Sequence, residues 1–462
     1  MTPGDEPACD LAVVGGGLAG LVAAWRERQR DPGARVVLLE AGARPGGVVA
    51  TERIDGFLVE RAAASIRRGA DAIHALIEEL GLCEELVAAD PAAAARRFVL
   101  HRGRLCAAPA GVRSLLSTPL LSAGAKLRLL AEPFVPARPQ ADETVAQFVA
   151  RRCGAGLVAP LLDAVVTGIF AGDVERLEAA SAFPRMTALE RRHGSLLRGA
   201  LAAQLGAAGR AARAARTGRP ALTALRGGMQ QLVDRLCERL ADAAVAIRCG
   251  ARVVRLAREA DAWRIALAGG ESLRARRVHL AAPAWAAAEL LRPVDAALAA
   301  ECAAIEAAPL AVVAIGVARS QVSGDVDALG FLVPRAERRA LLGVLCESSL
   351  FPGRAPAGHV LLRAMVGGGR VALPESAAAI ARLAFEEAAE ALRIAGAPRL
   401  LAAFPHRPGI PQYRPGHAAR VARVTARVTA QPGLSLGGWS WSGIALDDRA
   451  REPAPPAVTP RA

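Results

Sequence analysis

The chain has 462 residues, 53% of them hydrophobic, and a formal net charge of +14. That length supports two or three domains with sizeable cores, and no apolar run reaches the ~18 residues that a membrane span requires. Nucleic acid is a poor partner for this charge, because aromatics are only 3% and never alternate with basic residues. An anionic membrane surface or an acidic small molecule suits it better.

The N-terminus, MTPGDEPACD, carries acids and no apolar segment of the secretory kind, which points to the cytoplasm. Leu11–Val14 then reads as a short strand, Gly15, Gly17 and Gly20 form GxGxxG, and a helix is expected from Leu21 onward. Val36–Leu39 is a second apolar strand that ends at Glu40. The order is that of a dinucleotide site. A tight turn at Gly15 and close backbone approach at Gly17 admit a pyrophosphate, and Gly20 lets helix pack on strand. The amides of Leu18 and Ala19 face the phosphates, and Glu40 can take ribose hydroxyls. Arg44, Gly46 and Gly47 follow as ExxxRxGG, and Asp55-Gly56 predicts a hairpin turn between Thr51–Ile54 and Phe57–Glu60.

Residues 112–136 are rich in leucine and broken by Pro119 and Pro133. Asp142 is expected to cap a helix whose Val145, Phe148 and Val149 share one face. Ala200–Ala221, rich in alanine and arginine, reads as a solvated helix or connector. Thr223–Leu236 pairs a Gly-Gly turn with a helix, Val245–Leu256 alternates like strands, and Arg276–Leu291 is a strand followed by an Ala-Pro turn. The eight cysteines stand singly and are expected as small core residues; neither a metal site nor a disulfide framework is indicated. Lys126 is the only lysine.

The ExxxRxGG continuation resembles the flavin-dependent amine oxidase and desaturase superfamily. GIFAGD (Gly168–Asp173), the AFP…E…GSL run (Ala182–Leu196), LGFLVPR (Leu329–Arg335) and IPQY…GH (Ile410–His417) narrow it further. Together they resemble the oxygen-dependent protoporphyrinogen oxidase family, including its coproporphyrinogen-oxidising branch, from about Leu11 to Asp448. The resemblance implies an α/β fold. A Rossmann-like FAD-binding domain (1–75, 220–296 and 426–462) would carry an inserted α+β substrate domain (76–108 and 297–425). A helical subdomain (109–219) would attach to the inner face of the cell membrane, although core packing explains the same leucines. The resemblance leaves open whether two copies pair.

It also implies FAD, held by the glycine motif with Glu40, Ala41, Arg44, Gly46 and Gly47, with Val253 by the adenine and Gly443, Ile444, Ala445 and Leu446 at the flavin ring. The substrate would be a porphyrinogen of haem biosynthesis, with oxygen as acceptor. Arg97, Phe98, Gly168, Phe331, Leu332 and Met365 match substrate-side positions. A guanidinium at Arg97 suits a propionate. No side chain is expected to be catalytic. The C–H that reacts is activated by pyrrole nitrogen, and the flavin takes the hydride. Tyr413 and His417 are expected to be structural.

The chain departs from the family twice. Ala62-Ala63 stand where the family has Gly-Pro near the flavin ring, and Pro453 forbids helix through Glu452. A single turn capped by Asp447 or Asp448 remains, which predicts present but weakened FAD binding. Two other readings stay open: another flavin oxidoreductase, such as an amine oxidase or carotenoid desaturase, for which Trp439 and Trp441 would be relevant, or a divergent porphyrin-binding protein without activity.

Overall fold

The structure is a computed structural model that describes residues 9–109, 111–202, 206 and 220–457. Most of Ala200–Ala221 and the last five residues, Pro460 among them, lie outside this range.

Apolar runs bounded by glycine make the inner strands, and their order in the chain decides how they pair. β1 (Cys9–Val14), helix α1 (Leu18–Arg30) and β2 (Val36–Leu39) form a parallel unit. The helix begins three residues before the expected Leu21. β3 (Thr51–Ile54) and β4 (Phe57–Glu60) make the expected hairpin, with Asp55 and Gly56 both at positive φ. Next come β5 (Ile66–Arg67), helix α2 (Asp71–Glu79), β6 (Leu86–Ala88), β7 (Arg97–His101) and β8 (Arg104–Ala107). Beyond the helical stretch lie β9 (Leu222–Leu225), β10 (Ala246–Arg248), β11 (Val253–Glu259), β12 (Ala262–Leu267) and β13 (Ser272–Leu280). The remaining strands are β14 (Ala307–Ala318), β15 (Gly330–Leu332), β16 (Leu341–Leu345), β17 (His359–Gly367), β18 (Leu400–Pro411) and β19 (Leu434–Leu436).

One sheet has the order β10-β2-β1-β13-β12-β11, with β19 also paired to β13. Its inner strands β2, β1 and β13 are parallel, and β1 and β2 are nearly continuous in apolar residues, as expected of strands covered on both faces. One face packs on α1, α2 and the Gln230–Asp242 helix. The other packs on the Ala284–Leu291, Ala296–Ala303 and His417–Thr429 helices. The second sheet has the order β18-β14-β17-β16-β15-β7-β8. Here β7 joins β15 in parallel, so segments more than two hundred residues apart share one surface. The Ala377–Leu392 helix covers one face of this sheet. The β3–β4 hairpin docks on the other through Phe57 and Phe404.

Between β8 and β9 the described residues form helices and turns only. The Val145–Cys153 helix is capped by Thr144, not Asp142. The Thr144 hydroxyl accepts from the Gln147 amide (3.2 Å) and the Gln147 side chain answers the Thr144 amide (2.9 Å). Asp142 sits two residues too early, at φ 54°. Val145, Phe148 and Val149 are buried as expected. The cysteines divide. Cys9, Cys153, Cys302 and Cys346 are buried and Cys106 and Cys237 half-buried, but Cys83 and Cys249 are exposed, correcting the expectation of a core role for all. Burial pushes the Cys9 and Cys346 thiols up to about 12, so they are inert.

The helical region hangs on Glu132. One carboxylate oxygen accepts from the fully buried Arg152 and from the Leu196 amide (2.9 Å); the other accepts from the Ser195 hydroxyl and the Leu197 amide (3.0 Å). Burial opposes ionisation there, but these donors outweigh it and hold the carboxyl below its usual range. Glu132→Ala leaves the buried Arg152 with backbone carbonyls and Glu190 at 3.6 Å but without its main carboxylate, and is expected to cost about 3 kcal/mol, read as a fall in the urea midpoint.

Candidate active site

The first half of the site is a pair of glycine turns. Gly17 is the residue before α1, no side chain caps that helix, and its first turn holds no acid. The first amide with a helical acceptor is that of Leu21, bonded to Gly17 O at 3.0 Å. The amides of Leu18, Ala19 and Gly20 are therefore left for an anion. At Gly20 the helix meets the preceding turn so closely that a Cβ would lie 1.9 Å from Gly15 O. The Gly46–Gly47 turn comes alongside. The Gly46 amide donates to Gly16 O (2.7 Å), Gly17 and Gly46 form a parallel bridge, and a Cβ on Gly47 would lie 3.2 Å from Gly17 Cα. Gly17 itself faces open space, with nothing within 4 Å of where its Cβ would be.

Glu40 stands at the end of β2, accepting from the Gly16 amide (2.7 Å) and the Gly42 amide (2.6 Å). Ala41 beside it is exposed. Ala251 donates to Glu40 O (2.9 Å), which brings β11 and the half-buried Val253 to the same corner. Arg44 is spent on its own loop: it donates to the carbonyls of Pro45 (2.9 Å), Gly47 (3.1 Å) and Val49 (3.2 Å). Its part is to set the loop's shape.

The second half is the Gly437–Leu446 segment after β19. Glu452 accepts from the Gly438 amide (2.8 Å) and pairs with buried Arg449. Arg449 donates to the carbonyls of Ser442 and Gly443, both at 3.0 Å. Tyr413 donates to Trp439 O and accepts from the Gly443 amide (3.1 Å). Ser440 accepts from the Ala284 amide (3.0 Å). The Trp441 ring packs into the core of the first sheet. The helix that follows is only Leu446–Ala450, the single turn expected before Pro453. Asp448 reaches back to the Ala445 amide (2.9 Å) as expected of a cap. Asp447 does not cap this turn. Its carboxylate accepts from Ala72 (2.9 Å) and Ile73 (3.1 Å) and caps α2, whose own preceding residue, Ala70, has no side-chain acceptor.

The tail beyond is anchored too. Arg30 and Arg277 donate to Pro455 O, and Arg277 pairs with Glu27 (2.5 Å). Sequence reasoning expected a loose turn because the supporting helix is short. It missed this lattice of ion pairs, which no local pattern announces.

The third part is the hairpin-facing side of the second sheet. Across paired strands, Val99, Leu332 and Met365 lie on this face, and Gly168 abuts Leu332 so closely that a Cβ would lie 2.5 Å from its side chain. Arg97 shares the face by strand alternation and is exposed, its Nε donating to Ala94 O (3.3 Å). Phe98 and Phe331 are a correction. They pair with each other, and both turn to the opposite face, Phe331 buried and Phe98 packed on the core under Ala377–Leu392. Strand alternation forbids Phe331 and Leu332 from lining one surface. At Ala62-Ala63, Arg363 donates to Ala62 O and pairs with Glu347 (2.8 Å), which ties this pair to β17.

Residues 18–442 match the model of the Flavin containing amine oxidoreductase family. The chain belongs to that family. It is 32% identical to the Coproporphyrinogen III oxidase of Propionibacterium freudenreichii subsp. freudenreichii, covering 96% of this chain and 89% of that one. It is 33% identical to the human Protoporphyrinogen oxidase, covering 95% of each. Among solved structures it is similar to a proposed protoporphyrinogen oxidase from Exiguobacterium sp. 255-15. The TM-score is 0.81 at 27% identity, with 96% of this chain and 97% of that chain covered. A flavin oxidoreductase of this kind is an FAD-dependent oxidase. The residues present fit FAD: three free helix amides and a glycine cradle that a single Cβ would fill, beside a carboxylate at the end of the second strand.

Two buried histidines near the second half respond to pH. Burial pushes His279, whose Nδ1 meets Ser435 Oγ at 2.9 Å, down to about 4. Burial, aided by Arg420, does the same to His417. A depressed histidine binds fewer protons folded than unfolded, so its contribution is complete above pH 6.5 and is lost as pH falls toward 4. The loss is expected to reach roughly 3 kcal/mol per histidine. Glu60 and Glu452, whose carboxyls burial pushes up, act in the opposite sense. Urea unfolding of wild-type, His279→Phe and His417→Phe protein between pH 7 and 4.5 isolates the histidine share, and each variant is expected to show a flatter profile.

Proposed function

We infer that the protein oxidises a porphyrinogen to the porphyrin in haem biosynthesis, through FAD and with oxygen as final acceptor. The observation that carries this reading is a glycine cradle on the first sheet together with a second sheet whose hairpin-facing side bears Leu332, Met365 and the exposed Arg97, the β3–β4 hairpin docking on that side. The names of the relatives that cover almost the whole chain support it.

Bound FAD supplies a hydride acceptor for a carbon already activated by its pyrrole neighbours. The chain's residues bind and orient. Leu18, Ala19 and Gly20 amides would hold the pyrophosphate, with Gly46 and Gly47 leaving room for it. Glu40 would hold the ribose and Val253 would serve the adenine. Gly443, Ile444, Ala445 and Leu446, with Ala62-Ala63, would serve the flavin ring. Leu332, Met365 and Gly168 give the substrate a dry, apolar surface, and Arg97 takes a propionate at its edge. The domains proposed are a cofactor unit around β1, a substrate unit around β14, and a helical insert between β8 and β9.

Anaerobic mixing of the purified protein with protoporphyrinogen or coproporphyrinogen is expected to bleach the flavin absorbance; an unchanged spectrum with both overturns the reading. Amine oxidase chemistry would instead show as bleaching by an amine. Gly17→Ala is expected to fold normally and lose FAD, since its Cβ meets nothing but the space left for phosphate. Gly20→Ala is expected to lose the fold of the turn as well, because its Cβ meets Gly15 O. Circular dichroism and the flavin-to-protein absorbance ratio separate the two.

The helical insert suits a membrane surface. Leu127, Leu130 and Phe134 are 69%, 45% and 82% exposed, so core packing does not account for them, although Leu120, Leu121 and Leu129 are buried. No helix among the described residues is long and apolar enough to cross a membrane. Flotation with anionic liposomes at low salt is expected to carry the protein upward and Phe134→Ser to weaken this; a protein that stays at the bottom refutes peripheral attachment.

A further inference from the structure

We propose that Tyr413 is a positioning residue for the flavin: its hydroxyl closes the Trp439–Gly443 loop and so holds the Gly443–Leu446 main chain in place. The inference rests on the reading of that segment as the border of the flavin ring.

Tyr413 is the only tyrosine in 462 residues, and it is 2% exposed. Its oxygen donates to Trp439 O and accepts from the Gly443 amide at 3.1 Å, so one atom satisfies both ends of a five-residue span. Burial pushes the phenol well above its usual range, which keeps the proton available for the Trp439 carbonyl. The ring is fixed from two sides. It stacks on His417 (4.2 Å, 20°) and meets Phe170 edge-on (6.0 Å, 65°).

Phe170 belongs to the Asp163–Phe170 helix, the helix that presses Gly168 on Leu332. Tyr413 O also accepts from the Glu178 amide (2.7 Å). One residue thus ties the loop at the flavin to the helix that borders the substrate face. The loop's other anchors, Arg449 on the Ser442 and Gly443 carbonyls and Glu452 on the Gly438 amide, bear on different atoms. None replaces a partner for the Gly443 N–H.

Phenylalanine fills the same volume and keeps both ring contacts, so a purely packing role would survive Tyr413→Phe. A positioning role would not, because the Gly443 amide and Trp439 carbonyl would be left to find other partners. The test is the full-length holoenzyme against Tyr413→Phe. The variant's apo-protein is expected to melt within about 3 °C of wild type. Its FAD dissociation constant is expected to rise about ten-fold, ~1.4 kcal/mol. The flavin visible band is expected to shift and the reduction potential to fall. A variant with wild-type affinity, spectrum and potential overturns the inference alone. A variant whose apo-protein melts far lower overturns it in favour of a structural role. Wild-type protein that binds no FAD overturns the underlying reading and this inference with it.

Discussion

The structure depends on the contact between two glycine turns. Gly17 and Gly46 bridge, and Gly47 approaches Gly17 Cα to a distance at which any side chain would intrude. This contact does two jobs at once. It leaves three helix amides open to an anion, and it sends the chain from β2 back along the cradle into the β3–β4 hairpin. That hairpin then docks on the second sheet through Phe57. The path from the first sheet to the second is thus set by backbone proximity between the two glycine turns.

At the far end the same problem is solved by side chains. A five-residue helix has little stability of its own, and prolines prevent its extension. Arg449 and Glu452 span the loop, Tyr413 closes it, Asp447 leaves its own helix to cap α2, and arginines 30 and 277 hold the proline tail. Each of these groups is engaged with backbone atoms, so the order they impose falls on the main chain: Arg449, Glu452 and Tyr413 hold Gly438–Gly443, Asp447 holds the start of α2, and Arg30 and Arg277 hold Pro455. Ala62-Ala63 follows the same pattern, tied to β17 by Arg363 on the Ala62 carbonyl. Rigidity in this protein is supplied by arginine, in keeping with a composition in which Lys126 stands alone.

Much of the cofactor site was legible because its requirements are local. Turn, amide and close approach fall within consecutive residues, so GxGxxG, ExxxRxGG and the Asp55-Gly56 hairpin read directly. The substrate face was legible only in part. Leu332 and Phe331 are neighbours in sequence, and motif matching treats them alike. Only the pairing of β15 with β7 and the cover of the Ala377–Leu392 helix decides which of the two looks into the core. The cap of the Val145–Cys153 helix shows the same limit on a smaller scale: Asp142 and Thr144 are both good caps, and the reciprocal bond from Gln147 selects one.

By itself, then, the sequence determined the glycine cradle, the alternation of strand and helix around it, and the short final turn, since each follows from the conformational limits of glycine, proline and apolar runs. Tertiary structure alone decided how firmly that turn is held, which faces of the second sheet are buried, and what Tyr413 touches. Those depend on contacts between residues tens to hundreds apart, whose partners no local pattern names.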